Sequence, residues 1–294
     1  MKSNALKCLL VLLLFFHARA AFCLGWTDIL PSLTKKIPAR PSHAMTGTEF
    51  AKFVSTLDRS NREEAILDQL RRGNLPDFLR KLKPVQLFHT FEDGRKMVAS
   101  IFAMPDYLAV GPDRDFLLIP MALRTATRIA TDFGFILPTK KMVDAIFQQS
   151  AARFVPQPMA PGPQMTSTAY YVKHNDRIRE QRLAWGGFLD ILVSGHKKDV
   201  VITNRLARTL DKIAIYGWHR LSGSPIQPLS TVHGATYADY SHGIRLISDM
   251  VLIDDRPMSI YDVLEDPKLA PILSDEGPLR KVRQIMASPA DQPL

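Results

Sequence analysis

From position 46 onward, apolar residues recur at helical spacing. Thr46 and Thr48 stand as caps before Glu49-Phe50, and Phe53, Val54 and Leu57 continue the stripe. A second run starts at Ser60, with Glu63 three residues on in capping-box spacing. It carries Ile66, Leu67 and Leu70 on one face before Gly73-Asn74 stops it. A short third helix is expected over 76–82, with Pro76 at a permitted first-turn position. The pattern then turns to strands. Segments 85–88 and 97–102 flank the turn signal Glu92-Asp93-Gly94, and a further strand over 107–110 ends at Gly111-Pro112-Asp113. Helical spacing returns over 121–133, closed by Gly134, and over 139–154.

Residues 156–163 read Pro-Gln-Pro-Met-Ala-Pro-Gly-Pro, which cannot continue a helix and favours a stiff, extended course. The segment is the best internal boundary, or equally a strap across one fold. After it come a helix over 167–182 and strands over 188–193, 200–202, 212–216 and 244–253. The turn Asp254-Asp255 and a short helix over 259–265 follow. The Pro-rich C-terminal forty residues are expected to wrap the surface. Helices early and strands late predict an α+β fold rather than a doubly wound sheet. The division is a helix-rich scaffold with a strand pair (46–155), a Pro-rich strap (156–164) and an α+β part (165–294). That last part, mixed or antiparallel and β-rich, is expected to carry the site. No repeat of 20–50 residues points to a solenoid or propeller.

The N-terminus changes the picture. Lys2 and Lys7, the apolar run from Leu9 to Phe16, and Ala18-Arg19-Ala20 form the three-part pattern of a secretory signal peptide over 1–20. The apolar run is too short to span a bilayer, and no later stretch supplies an integral membrane span. Residues 21–45, with Pro31, Pro38 and Pro41, read as an extended lead-in. The expected location is secreted or periplasmic. Cys8 leaves with the signal, so Cys23 has no intramolecular partner, and Phe22 stands before it where a lipoprotein signal needs a small residue. A disulfide scaffold, a Cys-based structural zinc site and a thiol nucleophile further along are thereby excluded.

The 294 residues are 46% hydrophobic and 23% charged, ordinary globular values that permit one large domain or two small ones. The formal charge of +9 falls to +6 once Lys2, Lys7 and Arg19 are removed. The basic pairs lie far apart, which argues against nucleic acid and suits an anionic envelope polymer or membrane surface. Nucleotide-binding glycine motifs and a Gly-x-Ser-x-Gly elbow are absent.

Histidines carry the sharpest chemical signal. His196, His219, His233 and His242 fall within one stretch, each beside glycine or polar turn residues. From His233 to Leu246 the chain holds His233, Asp239, Ser241, His242 and Arg245. These supply a base, an orienting carboxylate, a hydroxyl and a guanidinium for an oxyanion; a tight polar turn knitted by hydrogen bonds is the structural alternative. Trp218, His219, Tyr237 and Tyr240, with Tyr216, Asn204 and Gln227, suit a sugar- or peptide-binding groove or a packed core. Tyr171, His174 and Ile178 share one face of the helix after the strap.

The segment resembles the active-site motif of the L,D-transpeptidase catalytic domain through His233-Gly234, Ser241-His242-Gly243 and Arg245-Leu246. The resemblance implies His242 as base and Arg245 as intermediate stabiliser. The family's nucleophilic Cys is missing, since Gly243 is followed directly by Ile244, and the gap from His233 to Ser241 is shorter. Ser241 is no positional substitute for that thiol. The chain as a whole is similar to exported bacterial proteins of uncharacterised function.

A competing arrangement is a zinc site. His196 and Asp199, with His219, His233 or His242, offer three ligands and an open position for water. Ser194-Gly195-His196-Lys197-Lys198-Asp199 is faintly similar to the zinc motif of D-Ala-D-Ala metallopeptidases, where His and Asp stand wider apart. Lys197 and Lys198 oppose a cation there. The reading favoured by these residues is an exported, metal-free hydrolase of a cell-envelope polymer, with peptidoglycan peptide as substrate. The alternatives are a non-catalytic envelope- or glycan-binding protein and a zinc-dependent peptidase.

Overall fold

The computed structural model describes residues 29–209 and 211–287. The expected signal peptide and Cys23 lie outside the described residues.

Helix α1 (Gly47–Val54) opens with a reciprocal cap: the Thr46 hydroxyl accepts from Glu49 N, and Glu49 accepts from Thr46 N at 2.8 Å. Helix α2 (Arg59–Arg71) is capped two residues earlier than its Ser60/Glu63 spacing predicts, by Asp58, which accepts from Asn61 N at 2.9 Å. Glu63 turns inward instead and accepts from Ala122 N and the Thr125 hydroxyl. The segment expected as a third helix is a single 3-10 turn, Asp77–Arg80.

Strands β1 (Lys83–Thr90) and β2 (Lys96–Ala103) form the expected antiparallel hairpin, paired from Lys83↔Ala103 to Thr90↔Lys96. The short strands β3 (Ala109–Val110) and β4 (Leu117–Leu118) follow. Then come α3 (Leu123–Phe133), β5 (Phe135–Ile136), α4 (Lys140–Gln149) and β6 (Ala152–Arg153). Gly134, at φ 79°, supplies the left-handed cap that ends α3. Helix α4 stops short of 154 because the chain there is drawn into parallel pairing with a later strand.

After the strap run α5 (Thr168–Ala184), β7 (Val193–Ser194), β8 (Lys198–Val200), β9 (Ile215–His219) and β10 (Pro225–Ser230). The chain continues through β11 (His242–Gly243), β12 (Ile247–Ser248), β13 (Met250–Ile253) and β14 (Arg256–Ser259). It closes with α6 (Ile260–Glu265) and α7 (Val282–Met286). The expected strand over 244–253 is broken: its register against β2 shifts by two residues between Ile247↔Ala103 and Leu252↔Ser100. Asp254 and Asp255, at φ 44° and 66°, make the tight hairpin turn between β13 and β14. Of the strand expected over 188–193, only its last residue is paired.

The result is an α+β fold with two main sheets. The larger runs β14-β13-β2-β12-β5, with β1 also on β2; the smaller runs β10-β9-β8-β11, antiparallel except for the parallel β8/β11 pair. The strap and the residues leading into it are tied to the body. Phe154 N donates to Ser194 O, Val155 N to the Gln181 side chain, and Met159 N to the Tyr240 hydroxyl at 2.7 Å. Residues on both sides of it, such as Phe102, Phe135, Ile215 and Leu252, share one buried cluster. The C-terminal segment does not lie on the surface as expected. Ile272, Leu273, Leu279, Val282 and Met286 are buried in that cluster, apolar anchors that the surrounding prolines and charges mask in the sequence.

Candidate active site

The site is built on the turn that feeds β11. The Asp239 carboxylate accepts from Ser241 N at 2.8 Å, from the Ser241 hydroxyl at 2.5 Å and from the Tyr237 hydroxyl at 3.1 Å. His242 N donates to Asp239 O at 3.0 Å. Parallel pairing then sets His242 against Lys198 and Gly243 against Asp199. Only glycine permits that approach: a Cβ on Gly243 would stand 2.6 Å from Tyr107 and 2.8 Å from the Lys197 side chain.

His242 is fully enclosed, and neither ring nitrogen has a hydrogen-bond partner. Its Nε2 lies 3.8 Å from Asp239 Oδ2, within electrostatic reach but beyond a hydrogen bond. Burial pushes the imidazole down to about 4; Asp239 opposes this, while Lys198, His233 and Lys197 reinforce it. The ring is therefore neutral at neutral pH. Burial raises the Asp239 carboxyl, but His242, Ser241 and Lys198 outweigh it and hold the group below its ordinary range. Lys197 is buried with its Nζ donating to Tyr240 O at 2.6 Å, and burial pulls its ammonium down to about 7. Above His242 lies the Tyr237 ring at 5.7 Å, itself stacked on His233 at 4.0 Å. This half-buried pair covers the imidazole.

Beside the turn, His174, Trp218 and Tyr240 pack edge-to-face as an aromatic cluster. Ring centroids are 4.9 Å apart for His174–Tyr240, 6.2 Å for His174–Trp218 and 6.3 Å for Trp218–Tyr240. Lys198 Nζ sits 5.3 Å from the Trp218 ring. Trp218 holds φ 54°, rare for a non-glycine residue and a form of backbone strain that clusters at ligand sites. Its Nε1 and both nitrogens of His174 are buried without a partner.

The other sequence-derived candidates stand elsewhere. Arg245 is wholly buried and donates to Met104 O at 2.8 Å and Val193 O at 2.7 Å, with its guanidinium 4.4 Å from the Tyr107 ring centroid. Its Nε is 3.9 Å from Asp199, whose carboxylate also accepts from the Tyr107 hydroxyl at 2.9 Å. Burial raises Asp199 to about 6, against Arg245 and Tyr107. Arg245 thus braces the interior behind the turn and has no donor directed at a substrate oxygen. His196 bonds Asp106 at 3.0 Å, and Asp106 also pairs with Arg182. His219 bonds Asp144 at 2.9 Å. That carboxylate also takes the Tyr216 hydroxyl at 2.8 Å, and the pair lines a cavity of about 620 Å³ with Phe147 and Arg153.

Of the four clustered histidines, only His233 and His242 flank a common point, with Tyr237 between them. His196, Asp199 and His219 are each bound to a different partner. Among the described residues no group of three or more His, Cys, Asp or Glu stands together to hold a metal.

Sequence reasoning missed Lys197 as a site residue because a Lys-Lys pair looks like a solvated face. It missed Asp106 and Asp144 because both come from the part read as scaffold. The shared helical face of Tyr171 and His174 was the available signal for the aromatic cluster. Comparison with family models, curated proteins and solved structures finds no match. Among the described residues, no helix is long and apolar enough to cross a membrane.

Proposed function

We propose that the chain is an exported hydrolase of a cell-envelope polymer, with peptidoglycan peptide as substrate and His242 as general base. The observation that carries this reading is His242: an enclosed, neutral imidazole beside a carboxylate, with both nitrogens uncommitted. Such a ring takes a proton from an attacking water at neutral pH and returns it to the leaving group. Asp239 stabilises the imidazolium formed in between, and Ser241 and Tyr237 hold Asp239 in place. Arg245 is engaged by main-chain carbonyls, so Lys197 and Lys198 are the groups left to meet negative charge on the substrate oxygen. Because Tyr237 and His233 cover His242, substrate enters as that pair moves aside. The N-terminal export pattern and the positive charge support an envelope location.

The test is muropeptide release from isolated peptidoglycan by the purified mature chain, read by chromatography and mass spectrometry. His242→Ala is expected to lower turnover by about 10²–10⁴-fold. Retention on peptidoglycan without turnover, unchanged by His242→Ala, would replace this reading with that of a non-catalytic envelope-binding protein.

A further inference from the structure

We infer that the ligand of this site is anchored by an anionic oxygen group, a carboxylate or a phosphate, received by Lys197, Lys198, Trp218 and His174 beside His242. The inference deepens the functional reading of the His242 site and rests on it, but its test needs no turnover.

Donors outnumber acceptors in this cluster. Asp239 already accepts two hydrogen bonds from Ser241 and one from Tyr237. Asp106, the other carboxylate acting on Lys197, is taken by Arg182 and His196. What remains is cationic or donor-rich. Lys197 makes one hydrogen bond, to Tyr240 O, out of three it can donate. The Lys198 ammonium rests on the Trp218 ring, and Arg177 adds positive charge on the His174 side. Trp218 Nε1 can only donate, and it is buried without an acceptor.

A buried donor left unmade is costly, so an unpartnered indole N–H beside two lysines is complementary to a ligand that brings acceptors. A cationic ligand would face Lys197 and Lys198 directly. A neutral one would leave the two lysines sharing Asp239 as countercharge. Of Lys197, Lys198, Trp218 and His174, Lys198 alone is partly exposed.

Isothermal titration calorimetry on the full chain tests this with three probes: inorganic phosphate, a short D-alanyl peptide with a free C-terminal carboxylate, and the same peptide amidated. Phosphate or the free acid is expected to bind, and the amide is not. Lys198→Gln and Trp218→Phe, the latter keeping an aromatic ring while deleting the N–H, should each weaken binding about tenfold or more. Lys198→Gln alters a partly exposed side chain, so its result stands even where the Trp218 variant folds poorly. Binding of phosphate alone assigns the site to a phosphate-bearing polymer, and binding of the free acid alone assigns it to a peptide terminus. The inference is overturned if neither anion binds, if the amide binds as well as the acid, or if Lys198→Gln binds like the parent. Anion binding without muropeptide release would sink the hydrolase reading and leave this one standing.

Discussion

Lowering the pH should reveal His242 through stability. The ring is fully buried and its folded-state pKa lies near 4, against an ordinary 6.5. Above pH 6.5 both folded and unfolded chains carry it neutral, and it makes no pH-dependent contribution. As pH falls from 6.5 towards 4, the unfolded chain takes up a proton that the folded chain refuses, so stability is lost across that window. Each pH unit well inside the window is worth about 1.4 kcal/mol per such group; the slope is only half that at pH 6.5 and falls again near the folded pKa, so the interval from 6.5 to 4.5 removes about 2 kcal/mol. His174 and His196, also depressed by burial, act in the same direction. Asp199, raised to about 6, acts in the opposite one, because between pH 6 and its ordinary value the folded chain holds the extra proton. The net wild-type curve therefore mixes signs, and the difference from a variant isolates the His242 contribution. Urea denaturation of wild type and His242→Gln, followed by intrinsic fluorescence at pH 7.5, 6.5, 5.5 and 4.5, provides it. Wild type should lose about 2 kcal/mol more than the variant between pH 6.5 and 4.5. Parallel curves across the whole range would refute the buried, neutral imidazole and with it the assignment of His242 as base.

Gly243→Ala should destabilise by about 1–3 kcal/mol, since the new methyl would meet the Tyr107 ring at 2.6 Å and Lys197 at 2.8 Å; an unchanged urea midpoint would contradict the close β8/β11 approach. Arg245→Met strips Asp199 of its nearby cation and leaves two buried carbonyls unpaired, a loss of about 3–5 kcal/mol. Adding Asp199→Asn should recover part of that loss, and a double variant no more stable than the single would argue against the coupling. Asp144→Asn, at a partly exposed site, should cost only about 1–2 kcal/mol in thermal or urea unfolding, because water can replace the lost partners of His219 and Tyr216.

The helical first half was legible because its signals are local. The apolar stripes of α1 to α4 and the Gly134 stop all lie within a few residues of what they determine. The helix start at Asp58 escaped because two caps competed. Glu63 has the right spacing for Ser60, but a tertiary acceptor role towards Ala122 and Thr125 draws it inside. The β-rich half was legible in kind and not in detail. Its pieces are two to six residues long, and β11 and β12 exist only because distant strands offer them partners. The β9/β10 hairpin went unread for a related reason: its second strand begins and continues with proline, which marks an edge or a turn when read locally.

The site divided along the same line. Asp239, Ser241 and His242 are neighbours in sequence, and the structure knits them into one turn through bonds spanning two or three residues. Arg245 looked equivalent because it is only three positions further on. Yet strand geometry carries it past the turn and into the interior, where Met104 and Val193, remote in sequence, absorb its donors. Lys197 is the converse case. Its adjacency to Lys198 suggests solvent, while Tyr240 O and the close approach of Gly243 hold it inside. A residue's type and spacing therefore identified the turn that positions His242. The charges acting on that imidazole depend on which strand lies alongside, and the parallel pairing of β8 with β11 places Lys198 opposite it. Shifting that register by one residue would set Asp199 opposite His242, exchanging a lysine that lowers the ring's pKa for a carboxylate that would raise it.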